Sequence, residues 1–220
     1  MLKSSTISKI DELIEHYPDL DICRDSLNKS VEAICESFRD GHKLLTCGNG
    51  GSASDSMHIV GELMKGFILP RSIKDFDSDF YDKLNKLYPE DAEYFANNLQ
   101  CTLPAISLVG ETALTTAFSN DQAPDLAFAQ QVLGLGDAGD ILLAITTSGN
   151  SANVLHAVKV AKLKGLKTIV LTGRTGGKIK VLADISICVP ADSAHTIQEF
   201  HLPVYHMLCL AAENEFFTKE

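Results

Sequence analysis

The sequence is short of positive charge. Nineteen Lys and Arg stand against 29 Asp and Glu in 220 residues, a formal net charge of −10. A nucleic-acid surface needs clustered Lys and Arg, so this balance argues against direct nucleic-acid binding; a nucleoprotein role would have to work through a protein partner. Long apolar runs are missing too. None approaches the roughly 20 residues that span a bilayer, which leaves no membrane partner. Residues 1–10, with Lys3, Ser4, Ser5, Thr6 and Lys9, lack the apolar centre of a signal peptide. The six cysteines, at 23, 35, 47, 101, 188 and 209, form no Cys-x-x-Cys pair and mostly have apolar neighbours. They read as reduced core thiols of a cytoplasmic protein. A calcium loop is also lacking: Asp75-Phe76-Asp77-Ser78-Asp79 starts like one, but Phe80 stands where Gly is required and Lys86 where Glu is. That run reads as a solvated acidic face.

A hydrophobic content of 45% is enough to bury one full core, so a single domain over 1–220 is expected. The chain is organised around Cys47-Gly48-Asn49-Gly50-Gly51-Ser52-Ala53-Ser54-Asp55-Ser56. Residues 43–47 are short, apolar and bounded by Gly41 and Gly48, which suits a buried strand. His58, Ile59, Gly61, Glu62, Leu63 and Lys65 continue as a helix. A strand that enters a helix through glycines leaves unpaired N–H groups at the positive end of the helix dipole, a place for an anion. No Gly-Lys-Ser/Thr follows, and Asn49 and Gly51-Ser52 break the dinucleotide spacing. The hydroxyls point instead to a monophosphate ester.

Apolar residues at helical spacing predict two helices, over 5–16 and 23–40, joined at Tyr17-Pro18-Asp19. This arm, residues 1–40, finds little to pack on within a compact α/β unit beyond one face, and is expected to lie partly against another subunit. Residues 69–102 form an acidic, Tyr- and Phe-bearing insert, helical from 79 to 99. Further strands are expected at 104–109, 140–145, 167–171 and 184–189. Helices are expected at 112–118, 124–133, 154–164, 178–182 and 196–216, with Ser119-Asn120-Asp121 following the first of these. Alternating strands and helices imply a three-layer, doubly wound sheet of about five parallel strands, with right-handed connections. A second hydroxyl-rich turn, Thr146-Thr147-Ser148-Gly149-Asn150-Ser151-Ala152-Asn153, also stands at a strand's carboxyl end, where ligands of such sheets collect. Ser52, Thr146, Ser148 and Ser151 are therefore expected to converge on one phosphate.

Together, Cys-Gly-Asn-Gly-Gly-Ser at 47–52, Thr-Ser-Gly-Asn-Ser-Ala-Asn at 147–153, Leu-Thr-Gly at 171–173 with Gly-Gly-Lys at 176–178, and Ile-Gln-Glu-Phe-His at 197–201 resemble the sugar isomerase (SIS) fold. The resemblance covers residues 25–217 apart from the insert. Through His58, Glu62, Gln198 and His206 the chain resembles the phosphoheptose isomerase branch, which serves heptose biosynthesis. It implies an aldose–ketose isomerisation of sedoheptulose 7-phosphate to D-glycero-D-manno-heptose 7-phosphate. It also implies a homo-oligomer, most simply a tetramer with the site at a subunit interface. The implied substrate-binding set is Asn49, Gly50, Gly51, Ser52, Asn120, Asp121, Thr146, Thr147, Ser148, Ser151 and Gln198.

Independently of the family, His58 and Glu62 share a helix face, and Gln198 and His206 fall about 80° apart around a helix, both able to face one cleft. Pro203 between them removes a backbone hydrogen bond. An enediol mechanism needs a base near carbon and an acid near oxygen; by resemblance these are Glu62 and His206. His58, Glu62, Gln198 and His206 match positions that hold zinc in some relatives, where the ion would act as a Lewis acid. Departures from the pattern are Lys65-Gly66 in place of Gly-Arg, Thr196 at an often basic place, and Thr146 in place of serine. The alternative is a non-catalytic SIS phosphosugar-binding protein of the type that assists the replication initiator; that relative lacks a histidine at the position of His206.

Overall fold

The apolar runs read as strands pair side by side in parallel. In the computed structural model, which describes residues 2–218, β1 (Leu44–Cys47), β2 (Ala105–Ser107), β3 (Ile141–Ile145), β4 (Lys167–Thr172) and β5 (Ile185–Cys188) form one sheet in the order β2-β1-β3-β4-β5. Leu44 lies opposite Ala105 on one side and Ile141 on the other. Met1, Lys219 and Glu220, the ends of the expected domain, lie outside the described residues. Every residue of β1 and of β3 is buried, as expected of a parallel sheet covered on both faces.

The helices are α1 (Ser4–His16), α2 (Arg24–Arg39), α3 (Gly51–Met64), α4 (Ile73–Phe76), α5 (Ser78–Leu87), α6 (Ala92–Asn98), α7 (Thr112–Asp121), α8 (Ala127–Leu135), α9 (Ala152–Leu163) and α10 (Ala194–Phe217). Strand periodicity divides them into layers. Leu44, Leu143, Ile145 and Leu171 point to the core shared with α2, α3 and α10, whereas Leu45, Cys47, Leu142, Ala144 and Val170 point to α8 and α9. No described helix is long and apolar enough to cross a membrane.

Two expectations change, those for the insert and for residues 120 and 121. The inner face of the arm packs on its own chain: Ile10 and Leu13 of α1 and Leu27, Val31 and Ile34 of α2 are buried in the core, and α1 lies along α10, while Ile7 and Tyr17 stay exposed. Lys3 N and Thr6 Oγ1 donate to Glu215 Oε2 at 3.0 and 2.8 Å, and Arg39 Nη2 donates to Oε1 at 2.6 Å, fastening both arm helices to α10. The insert is three short helices rather than one from 79 to 99: Asp77 accepts from Phe80 N and starts α5, and the helix expected to run on to 99 stops at Leu87 because Pro89 forces Tyr88 out of helical geometry before α6 begins at Ala92. Asn120 and Asp121 belong to the last turn of α7 instead of following it.

One buried ion pair fixes how α3 meets α10. Glu213 of α10 accepts from the backbone N–H groups of Phe67 (2.7 Å), Ile68 (2.9 Å) and Leu69 (3.1 Å) and from Arg71 Nε (3.0 Å). Arg71 then donates from Nη1 to Leu63 O at 2.6 Å and from Nη2 to Glu62 O at 3.1 Å, satisfying carbonyls that the end of α3 leaves open. Both side chains are 1% exposed or less, and the guanidinium also lies 4.7 Å from the Phe217 ring centroid. Removing one partner strands the other charge in the core, a loss of about 3–5 kcal/mol. Glu213→Ala is therefore expected to lower the unfolding free energy by about that amount in urea denaturation. A loss under about 1 kcal/mol, the worth of a surface pair, would contradict this role.

Candidate active site

The two hydroxyl-rich turns meet at the carboxyl ends of β1 and β3. These strands are hydrogen-bonded neighbours whose following connections go to opposite sides of the sheet order, the switch point at which doubly wound sheets bind ligands. Three glycines shape the first turn. At Gly48 a Cβ would sit 2.5 Å from Ser52 O; Gly50 has φ +56°; at Gly51 a Cβ would sit 2.3 Å from Gln198 Nε2. A side chain at Gly51 would displace Gln198, and one at Gly50 would be strained. The chain thus enters α3 with its first N–H groups uncovered by side chains.

The turns are locked to each other by paired amides. Asn49 Nδ2 donates to Asn153 Oδ1 and Asn153 Nδ2 donates to Asn49 Oδ1, each at 2.9 Å. In the second turn Thr146 Oγ1 and Ser151 Oγ lie 3.2 Å apart. Its backbone is held from behind: Gly173 N donates to Thr147 O, and Lys178 N to Asn150 Oδ1, at 3.1 and 3.2 Å. Gly149, at φ +65°, packs so closely on Gly176 that a Cβ would come 2.1 Å from its carbonyl oxygen. Ser52 and Thr146 are buried, Thr147 and Ser151 half-buried, and Ser148 exposed. Asn120 and Asp121 stand apart. Asn120 Nδ2 donates to Asp121 Oδ1 at 2.9 Å, both are exposed, and among the described residues no hydrogen bond joins either to the turns.

The second half of the site lies between α3 and α10. A polar cluster pins α3 to the sheet: Ser56 Oγ donates to Thr46 Oγ1 at 2.7 Å, lies 2.9 Å from Ser107 Oγ, and its carbonyl accepts from Thr46 Oγ1 at 3.0 Å. One turn farther along, His58 Nε2 is 3.1 Å from Glu62 Oε1, and Lys65 Nζ donates to Glu62 Oε2 at 2.8 Å. From α10, the His206 ring stands edge-on to His58 at 5.1 Å between centroids and 5.3 Å from Phe67. Gln198, at the other end of the same helix face, touches the cradle at Gly51. The structure thus brings His58, Glu62 and His206 together between α3 and α10, and sets Gln198 against the first turn at Gly51.

Electrostatics assigns them different states. Burial pushes the Glu62 carboxyl up, but Lys65 and His58 outweigh it and hold it below the ordinary value, so it is a carboxylate. Burial and then His58 push His206 down against the opposing pull of Glu62, which favours a neutral imidazole. Its Nε2 is buried with no hydrogen-bond partner among the described residues. These donor types fit a zinc ion, and an orphaned imidazole nitrogen is what a ligand would satisfy. As they stand, however, no three His, Cys, Asp or Glu side chains among the described residues converge in a ligating arrangement.

Sequence reasoning passed over two contributors. Asn153 lies in the quoted turn, but its role depends on Asn49, 104 residues away. Tyr205, next to His206 in an apolar run, reads as core, yet its hydroxyl is 3.0 Å from His58 Nδ1. The i, i+3, i+7 spacing of Asp55, His58 and Glu62 was the available signal that a polar stripe faces α10.

Residues 111–211 match the model of the SIS domain. The chain is 38% identical over 190 residues to a phosphoheptose isomerase of Synechocystis sp., covering 86% of this chain and 83% of that one. It is also 38% identical over 200 residues to a phosphoheptose isomerase of Helicobacter pylori, covering 91% and 89%. The solved structure of a phosphoheptose isomerase from Francisella tularensis superposes with a TM-score of 0.70 at 29% identity, over 93% of this chain and 97% of that one. Gly51→Ala, which drives a methyl into Gln198, is expected to weaken binding of a sugar phosphate at least about tenfold, a cost of about 1.4 kcal/mol or more. Isothermal titration measures it, and unchanged affinity would show that the cradle is not built on this contact.

Proposed function

The chain belongs to the phosphoheptose isomerase family of SIS-domain proteins, and from that membership we infer that it isomerises sedoheptulose 7-phosphate to D-glycero-D-manno-heptose 7-phosphate. What supports the site assignment is the meeting of two hydroxyl-rich turns at the switch point of the sheet, with Gln198 against Gly51 and a carboxylate and two imidazoles gathered between α3 and α10. The phosphate rests on the N–H groups and hydroxyls around Gly50, Gly51, Ser52, Thr146, Thr147, Ser148 and Ser151, and Asn49 sets the spacing of the turns. Gln198 orients the sugar next to the cradle. Glu62, held as a carboxylate, removes a proton from C1 of the ketose while His206 supplies one to the C2 oxygen, giving the enediol. Return of a proton to C2, with loss of the O1 proton, gives the aldose.

A zinc ion, if bound, would be held by His58, Glu62, Gln198 and His206 and would polarise the carbonyl as a Lewis acid. Asn120 and Asp121 join the substrate only through movement of α7 or from a neighbouring subunit. A homotetramer is supported by apolar surface on the outer side of the arm and of α10, where Ile7, Tyr17, Ile22 and Leu202 are exposed; light scattering that reports a monomer at micromolar concentration would contradict it. All six cysteines are free, which supports a reducing, cytoplasmic setting. The non-catalytic reading is disfavoured by His206 and by the carboxylate beside it.

Glu62→Gln is expected to lower kcat at least about 100-fold, the lower bound for a lost general base, with binding of the phosphosugar kept within a few-fold. His206→Asn should behave likewise. Metal content measured on the same samples separates the roles: turnover lost with zinc retained marks proton transfer, and parallel loss of both marks ligation. Wild-type turnover in the Glu62→Gln protein would end the mechanism.

A further inference from the structure

We propose that the cavity between residues 69–102 and the ends of α2 and α10 is a binding site for a small organic cation, an ammonium group on an aromatic or alkyl body. The cavity holds about 490 Å³, within the range of small-molecule pockets. It lies away from the candidate active site. Pro104, directly before β2, and Phe38, on the last turn of α2, line it at the amino ends of the strands, whereas the two hydroxyl-rich turns stand at the carboxyl ends of β1 and β3. The local sequence builds its walls. Asp77 separates α4 from α5, its side chain accepting from Phe80 N at 3.0 Å. Across this break Phe76 lies edge-on to Phe217 at 5.3 Å between centroids, and Phe80 stands on the first turn of α5. A second edge-on pair, Phe38 and Phe216 at 6.2 Å, also lines the cavity. The base of the insert is closed by backbone: Cys101 N donates to Arg71 O at 2.8 Å, and Ser72 bridges to Gln100 in antiparallel register. Phe80 and Leu99, 43% and 49% exposed, leave the cavity open to solvent, and a ligand would cover apolar surface there.

Charge in the lining selects the ligand. Asp77 is exposed and forms no ion pair among the described residues, and among them no Lys or Arg lines the cavity. The two guanidinium groups that meet its rings are neutralised elsewhere: Arg71 pairs with Glu213 at 2.9 Å and Arg39 with Glu215 at 2.6 Å. They lie 4.7 Å from the Phe217 centroid and 5.9 Å from that of Phe216, so rings of this wall already attract cations through their π-faces. Burial first, and then the Asp77 carboxylate, push the Cys101 thiol of the lining above its ordinary value against a smaller pull from Arg71. The field inside is therefore negative. An anion, a sugar phosphate included, is repelled, and a neutral ligand gains apolar contact alone. An ammonium group gains the Asp77 carboxylate and the face of a phenyl ring as well.

The binding site does not rest on the isomerase reading. It is tested by titrating the full chain at neutral pH with 2-phenylethylammonium, with neutral 2-phenylethanol and with anionic 3-phenylpropionate. NMR follows the δ1 methyl of Ile73, a buried residue of the lining, assigned by Ile73→Val. The ammonium is expected to shift that methyl and to saturate with a Kd of about 10 mM or tighter, as a ligand of its size allows. It should bind about tenfold more tightly than the alcohol, the combined worth of one exposed charge pair and one cation–π contact. The propionate should bind more weakly than either. Asp77→Asn keeps an oxygen to cap α5 and should cut the preference for the ammonium to about threefold, what the ring face alone supports. Phe80→Ala, at a half-exposed position, should weaken the ammonium and the alcohol together. The proposal is overturned if the ammonium leaves the Ile73 methyl unshifted, if the alcohol or the propionate binds as tightly, or if Asp77→Asn leaves the preference unchanged.

Discussion

The buried pair Arg71–Glu213 sets the geometry on which the site depends. Glu213 gathers three consecutive backbone N–H groups and a guanidinium, and the guanidinium in turn takes the carbonyls of Glu62 and Leu63. The end of α3 that bears Glu62 is thereby fastened to the helix that bears His206. A charge pair with almost no exposure earns little net stability over an apolar equivalent. Its value here is directional: hydrogen bonds set a register between two helices that packing alone would leave freer to slide.

At the opposite end of α3 the constraint is steric. Gly48, Gly50 and Gly51 let the chain turn sharply from β1 and bring Gln198 against the helix start. The Asn49–Asn153 amide pair then holds the second turn at a fixed spacing. The glycine turn and the Glu62 carboxylate are thus placed by different means at the two ends of one helix, with the α10 residues Gln198 and His206 close to them. In the proposed reaction a phosphate held at that turn would supply binding energy remote from the reacting carbons, which is where an isomerase of a small, flexible sugar needs it. Water access is limited at His206, whose Nε2 is buried.

Much of this was legible because its signals are local. A short apolar run, glycines, hydroxyls and an amphipathic helix follow one another within 47–56, and each has a fixed backbone consequence. The parallel sheet followed from strands separated by helices. What was not legible depends on distant partners. Arg71 and Glu213 are 142 residues apart and carry no pattern that marks them as a pair. The apolar stripe of α1 shows that something covers it; that α10 of the same chain does so is a fact of tertiary packing. Tyr205, inside Val204-Tyr205-His206-Met207, looks like core by its neighbours, and only the fold sets its hydroxyl beside His58. The break of the expected 79–99 helix turned on Pro89, between α5 and α6, a signal present in the sequence and outweighed there by the length of the helical pattern.

The central claim is that a proton, not a hydride, moves between adjacent carbons of a phosphate-anchored heptulose. It is tested most directly by following sedoheptulose 7-phosphate with the wild-type chain in D₂O by NMR. The account predicts that the heptose 7-phosphate forms with solvent deuterium at C2. Aldose formed without deuterium at C2, or no aldose at all, would contradict it.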